Sequence, residues 1–224
     1  MPQVDGMTLY RWFGLVFVFG VSVVLAVYLI DREFSHRLRA EDGIIENLSA
    51  GFYLLAFLLC VWFLMKAVVS RWPAVALAAL SVFGFLEEIS YGERLFDLEM
   101  PQVDGMKIDT GHDLITLALK WLAEWALEHP GLAIFAMVLA GLSGGVLAWR
   151  YRATIRAIIV FVVDHPPALF LTLFGGFIAC SMLIDLQLVF FNILFLMEEL
   201  FEMYAALALV FCSLALRSPV RSTA

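Results

Sequence analysis

An all-α integral membrane protein is the fold class that this sequence predicts, and three observations carry the reading. Hydrophobic residues make up 63% of the 224 residues and charged ones 16%, whereas a soluble domain is about 45–50% apolar and 25% charged. Mean hydropathy is +0.93. The apolar residues are also gathered into runs of the length, about 20 residues, that crosses a hydrocarbon core.

Taken in order, the runs give six spans in a single transmembrane domain covering 1–224, at about 12–30, 48–65, 72–90, 131–149, 167–186 and 196–216. The first run is too long for a secretory signal and lacks a small-residue cleavage site, so it is expected to stay as a helix. The stretch 167–216 is too long for one helix at about 1.5 Å per residue. Asp185, Gln187 and Asn192 interrupt it and mark the division. Residues 113–128 set Asp113, Lys120, Glu124 and Glu128 against leucines, Trp121 and Trp125. That pattern predicts a helix lying at the membrane surface, with a seventh span as the alternative. Residues 152–163 are short and basic at their start, which also reads as interfacial. Cys60, Cys180 and Cys212 lie far apart within apolar runs, arguing against a disulfide framework or a CxxC metal site. Gly141, Gly144, Gly145, Gly175 and Gly176 fall inside spans, where small residues let helices approach closely.

Charge sets the orientation. With the N-terminus inside, Arg11, Lys66, Arg71, Arg150, Arg152, Arg156, Arg217 and Arg221 are cytoplasmic, against six basic residues outside. Both termini are then cytoplasmic. The acids divide far less evenly. Only Asp5 and Asp164 lie on the N-terminal side, and the other nineteen of the 21 Asp and Glu face the opposite side.

Three acidic clusters reach that face. In EDGIIEN, Glu41 to Asn47, Asp42 is placed to cap a helix and Glu46 sits where the macrodipole favours an acid. FLEEISYGER, Phe85 to Arg94, ends the third span, where acids oppose the dipole and are costly near hydrocarbon. If that helix continues, Glu87 and Arg94 share a face and form an ion pair; otherwise Glu87 and Glu88 are binding or catalytic candidates. MEELFEMY supplies Glu198, Glu199 and Glu202, with Glu202 within i+3 or i+4 reach of both others and about 6 Å into its helix. DTGHDL places His112 beside Asp113, a pair able to ligate a metal or move a proton, or merely to cap the next helix. The catalytic candidates are therefore Glu87, Glu88 and Glu202. The metal-ligand candidates are Glu88, His112, Glu198, Glu199 and Glu202, and a divalent metal ion is the cofactor such a set would take. There is no GxSxG, HExxH, glycine-rich phosphate loop or basic groove, so nucleic acid is not an expected partner.

EDGIIEN at a helix entrance, EEISYGERLF after a span, GHDL and a late EELFE together resemble a group of bacterial multipass membrane proteins of unknown function. That family's form is close to EEISWGQR followed by an NLHN-like segment. Here Tyr91 replaces the Trp, Glu93 replaces the Gln, and TGHDL stands for the NLHN-like part. The resemblance implies a bacterial cytoplasmic (inner) membrane location. It matches Glu87, Glu88, His112 and the Glu198–Glu202 group to motif positions, and it brings no activity.

The heptapeptide MPQVDGM occurs twice, at Met1 and at Met100. Identity stops abruptly at both copies, so no fold unit is duplicated. Pro101 with Asp104-Gly105 makes good turn chemistry in the second copy. The first copy is expected to be dispensable, with only Trp12 onward entering the membrane.

Three functional classes follow. A carboxylate site in the outer half of the membrane could bind a divalent cation or protons, serving an enzyme acting on lipid-linked substrates. A proton- or cation-coupled transporter would use the same residues, although no inverted repeat is visible. A noncatalytic subunit would turn them toward other membrane subunits. The lipid bilayer is a partner in all three. The six-span reading has a direct check: single cysteines at Ser35 and Ser218 are expected to label from opposite faces, and labelling from one face would overturn it.

Overall fold

Each expected span forms a helix, because backbone polar groups in an apolar run must be satisfied within the segment itself. The computed structural model describes residues 5–38, 43–90, 101–104, 106–107, 111–185 and 192–217. Its helices are α1 (Gly6–Ile30), α2 (Arg32–Leu38), α3 (Ile44–Met65), α4 (Arg71–Glu88), α5 (Gly111–Glu128), α6 (Pro130–Arg150), α7 (Arg152–Asp164), α8 (Pro166–Asp185) and α9 (Asn192–Ala215). A two-stranded hairpin of β1 (Gln102–Val103) and β2 (Met106–Lys107) lies between α4 and α5. The fold is all-α. Four helices, Gly6–Ile30, Ile44–Met65, Pro130–Arg150 and Pro166–Ile184, are long and apolar enough to cross a membrane. α4 and α9 stand outside that set, and each carries three charged residues: Arg71, Glu87 and Glu88, and Glu198, Glu199 and Glu202.

Three boundaries differ from expectation, each for a local reason. α1 begins at Gly6 rather than Trp12, with Asp5 as its N-cap residue. The added turn is built into the fold: Leu9 is buried, the Tyr10 hydroxyl donates to Val163 O at 3.2 Å, and a Cβ on Gly6 would meet Pro166 Cγ at 2.5 Å. The end of the N-terminal heptapeptide is therefore a packing element, and removing Pro2 to Gly6 would cut into α1. α4 stops at Glu88, and Ser90 then takes φ 48°, a left-handed turn that prevents the helix from continuing toward Arg94. The expected pairing of Glu87 with Arg94 falls on a residue outside the described ones. At the third boundary, α9 starts at Asn192, so Glu202 lies ten residues, or about 15 Å, into it rather than about 6 Å. Asn192 is helical instead of breaking the run, and the apolar residues Ile193–Met197 lie in α9 ahead of the glutamates.

The N-cap of α3 is Gly43, not Asp42, which lies outside the described residues along with Glu41. Glu46 keeps the expected first-turn position. The second MPQVDGM forms the turn that its residues favour: Gln102 pairs with Lys107, Val103 with Met106, and Asp104 takes φ 51°. Trp121 Nε1–H donates to Asp104 Oδ2 at 2.8 Å, tying the hairpin to α5.

α9 is the central helix. Leu196, Leu200, Tyr204, Ala206, Leu209 and Ala215 are all fully or almost fully buried, and α9 packs against α8, α3, α1 and α4. Contacts fix the directions. Phe13 of α1 meets Phe211 while Phe17 meets Tyr204, so α1 runs opposite to α9. Ser181 of α8 bonds Glu202 while Pro167 bonds Cys212, so α8 does the same. α3 runs with α9, because Cys60 meets Ser213 at 3.3 Å beyond the Tyr53–Glu202 level. The buried hydroxyls of Ser49 and Ser81 are satisfied along their own helices, on Ile45 O and Leu77 O. Cys60, Cys180 and Cys212 are all free thiols. α6 and α7 bury no residue at all.

Ser35 is buried with its hydroxyl on Arg32 O, so Glu33, whose side chain is 80% exposed, is the better labelling position on α2; Ser218 lies outside the described residues. The Tyr204 hydroxyl donates to Phe17 O at 2.9 Å and is admitted because Gly20 has no side chain. Gly20→Ala should destabilise the protein by about 1–3 kcal/mol, read as thermal unfolding in detergent. Only the hydroxyl oxygen would be severely crowded, since the ring carbon Cζ would sit at 3.3 Å. Tyr204→Phe should therefore remove most of the Gly20→Ala penalty, and independent penalties in the double variant would refute this contact.

Candidate functional site

On α3, Glu46, Ser49, Tyr53, Ala56, Cys60 and Phe63 follow the 3–4 spacing of one helical face. All but Glu46, which is half-buried, are buried. This stripe faces α4 and α9, the two helices that bring the carboxylates. Tyr53 is 3% exposed. Its ring lies directly against Gly84 of α4, where an added Cβ would come within 2.6 Å of Tyr53 Cδ1 and Cζ. No larger residue fits there without moving the ring. One helical turn beyond Gly84 stand Glu87 and Glu88.

The phenol end of Tyr53 lies in the electrostatic field of three carboxylates, Glu88 most strongly, then Glu202 and Glu87. Among the described residues the hydroxyl has no hydrogen-bond partner. Glu202 is half-buried and accepts a 2.6 Å bond from Ser181 Oγ of α8, itself 2% exposed. Glu87 Oε1 accepts from the Gly111 backbone N–H at 2.9 Å. That N–H belongs to the first turn of α5, whose unsatisfied donors and positive dipole end suit an anion. An acid at the C-terminus of α4 is thus offset by the N-terminus of α5. Glu88 is half-buried beside it.

Glu88, Glu202 and Glu87, from α4 and α9, thus all act electrostatically on one phenol of α3. Glu198 and Glu199 are half-buried on α9, one turn nearer its start. Neither lies in the first turn of α9, so the helix dipole does not account for them. His112 follows Gly111, so its backbone is next to the Glu87 contact; its side chain and that of Asp113 lie outside the described residues. Among the described residues, no group of three or more His, Cys, Asp and Glu side chains is arranged to hold a metal ion.

Sequence reasoning missed Tyr53 and Ser181. The signal for Tyr53 was present in the polar stripe Glu46, Ser49, Tyr53 and Cys60 inside an otherwise apolar run. Ser181 had no comparable signal, because one serine in a span is common. Chemically, the arrangement offers a phenol, a serine hydroxyl and three carboxylates in apolar surroundings, which is what is needed to hold a shared proton or to neutralise a cation.

Comparison with protein-family models, curated proteins and solved structures finds no match to this chain.

A hydroxyl donating to a carboxylate contributes about 1.5–3 kcal/mol, so Ser181→Ala should lower stability by that amount in detergent melts. In a Glu202→Leu background the same change should cost far less. An unchanged cost would mean that Ser181 acts through packing rather than through Glu202.

Proposed function

We infer that the chain is a multipass protein of a bacterial inner membrane whose carboxylates bind a proton or a divalent cation in the outer half of the bilayer. The observation that carries this reading is the convergence of Glu88, Glu202 and Glu87 on the buried Tyr53. Two or three carboxylates cannot all stay charged at one apolar site without a proton or a cation between them. Tyr53 supplies a donor to whichever oxygen is ionised, and Ser181 holds Glu202 in place. Six spans fit the helix directions: α1 and α8 run opposite to α3 and α9, as alternation through a bilayer requires. On that placement the site faces outward and both termini are cytoplasmic. The likeness of EEISYGERLF and EELFE to the bacterial family belongs to the same proposal. An enzyme acting on lipid-linked substrates would use Glu88 or Glu202 to move a proton at its substrate, and a coupled transporter would release the same ion inward.

A second reading, a noncatalytic subunit of a larger membrane complex, is favoured by α6. It is apolar and bears a ridge of Ala136, Ala140, Gly144 and Ala148, yet none of its residues is buried among the described residues.

Infrared difference spectra of the reconstituted protein over a pH series, with parallel calorimetry against magnesium, manganese and zinc, test the first reading. The wild type should show a protonated carboxyl band or bind a cation. Glu88→Gln and Glu202→Gln should each remove that signal while the protein stays folded and no less stable, since a like-charge repulsion disappears. If the wild type shows neither signal and both variants unfold, the cluster is structural and the subunit reading takes its place.

A further inference from the structure

The corner between α6 and α7 carries positive charge that no acid opposes in an ion pair among the described residues. Arg150, Arg152 and Arg156 fall within seven residues, and no Asp or Glu occurs between Glu128 and Asp164. Arg152 and Arg156 stand at i and i+4, where like charges repel. Arg152 is the first residue of α7, and Arg156 lies one turn on, where the dipole disfavours cations. Among the described residues, none of the three arginines forms an ion pair. The local arrangement is therefore unfavourable by itself and suited to an external anion.

The surroundings identify the source of that anion. Trp149 and Tyr151 are 72% and 50% exposed at the same corner. The Arg152 guanidinium lies 4.6 Å from the Trp149 ring centroid, and that of Arg150 lies 5.8 Å from the Tyr151 ring. Trp and Tyr settle at head-group level in membranes. α7 is amphipathic and exposes residues such as Ile158 and Phe161. A soluble anion would leave those side chains in water, whereas a lipid brings phosphate and hydrocarbon together. We propose that this corner is a seat for anionic phospholipid head groups. Arg152 and Arg156 hold the phosphate, Arg150 adds charge, and the apolar side of α7 lies in the acyl boundary. The seat is separate from the carboxylate site and shares with it only the placement of the chain in a membrane.

Trp149 is a reporter within the seat. The full-length protein is reconstituted in nanodiscs of phosphatidylglycerol and phosphatidylcholine at one fixed composition, with bromine on the acyl chains of either one lipid or the other. The Trp149 signal is the difference between the wild type and Trp149→Phe. Brominated phosphatidylglycerol should quench it more than its share of the bilayer predicts. Each Arg→Gln change at Arg150, Arg152 or Arg156 should lower that preference by up to about fivefold, while Arg→Lys at the same positions should keep most of it. Retention by the lysine variants separates loss of charge from loss of folding. Excess inorganic phosphate should leave the preference intact. Equal quenching by the two lipids, a preference unchanged in the triple Gln variant, or its loss to inorganic phosphate would each overturn the seat. Absence of quenching by either lipid would overturn the seat and the membrane placement together.

Discussion

The contact between the Tyr53 ring and the bare backbone at Gly84 sets the distance between α3 and α4, and the polar site depends on that distance. With the ring seated there, the phenol lies in the electrostatic field of Glu88, Glu202 and Glu87 while the side chain stays 3% exposed. A buried carboxylate is tolerated only when protein donors or ions replace its hydration. Two of those donors come from elements distant in sequence, Gly111 N–H on Glu87 and Ser181 Oγ–H on Glu202. A helix N-terminus thus meets an acid at a helix C-terminus, Gly111 of α5 against Glu87 of α4. Trp121, bonded to Asp104, joins the hairpin to α5 just beyond that meeting point.

α9 makes the site possible in a second way. Its lower half is lined with Ala205, Ala206, Ala208, Ser213 and Ala215, small enough for α3 and α8 to pack closely. Side-chain bonds at Cys60–Ser213 and from Cys212 to Pro167 O secure that half. The upper half carries the glutamates and is held by Ser181 and by the aromatic group of Phe177, Phe201 and Tyr204. A helix anchored at both levels cannot slide along its axis without breaking polar bonds in apolar surroundings, so Glu202 is fixed relative to Tyr53. This anchoring explains how a helix with three acids takes the centre of the fold while four more apolar helices lie further out.

Much of the helix order is legible in the sequence, because length and hydropathy of each run decide whether a helix forms. The ends are less so. Ser90 terminates α4 by adopting a left-handed conformation that serine does not advertise, and Asn192 begins α9 where a polar residue reads equally well as an interruption. The two copies of MPQVDGM show the limit most directly. Asp104 turns a hairpin, whereas Asp5 precedes a helix in which Gly6 packs on Pro166, and only the neighbouring chain differs. At the candidate site, the glutamates are visible because charge in an apolar run is costly wherever it lies. Tyr53 is half-visible through its heptad companions. Ser181 and Gly111 are not, since a span serine and a backbone amide acquire meaning only when tertiary structure places an acid beside them.

The two ends of the molecule solve the problem of charge in opposite ways. At one end, Glu202 and Glu87 accept from a serine hydroxyl and a helix terminus beside the buried Tyr53 phenol. At the other, three arginines lie on α6 and α7, which bury nothing, and their nearest companions are exposed aromatic rings. Arginine can remain exposed this way because its stem and planar head suit an interface without an internal partner. A glutamate has a shorter stem, and Glu202, about 15 Å into α9, is satisfied where it stands by Ser181. The difference in reach between the two side chains explains why the acidic end is packed and the basic end is open.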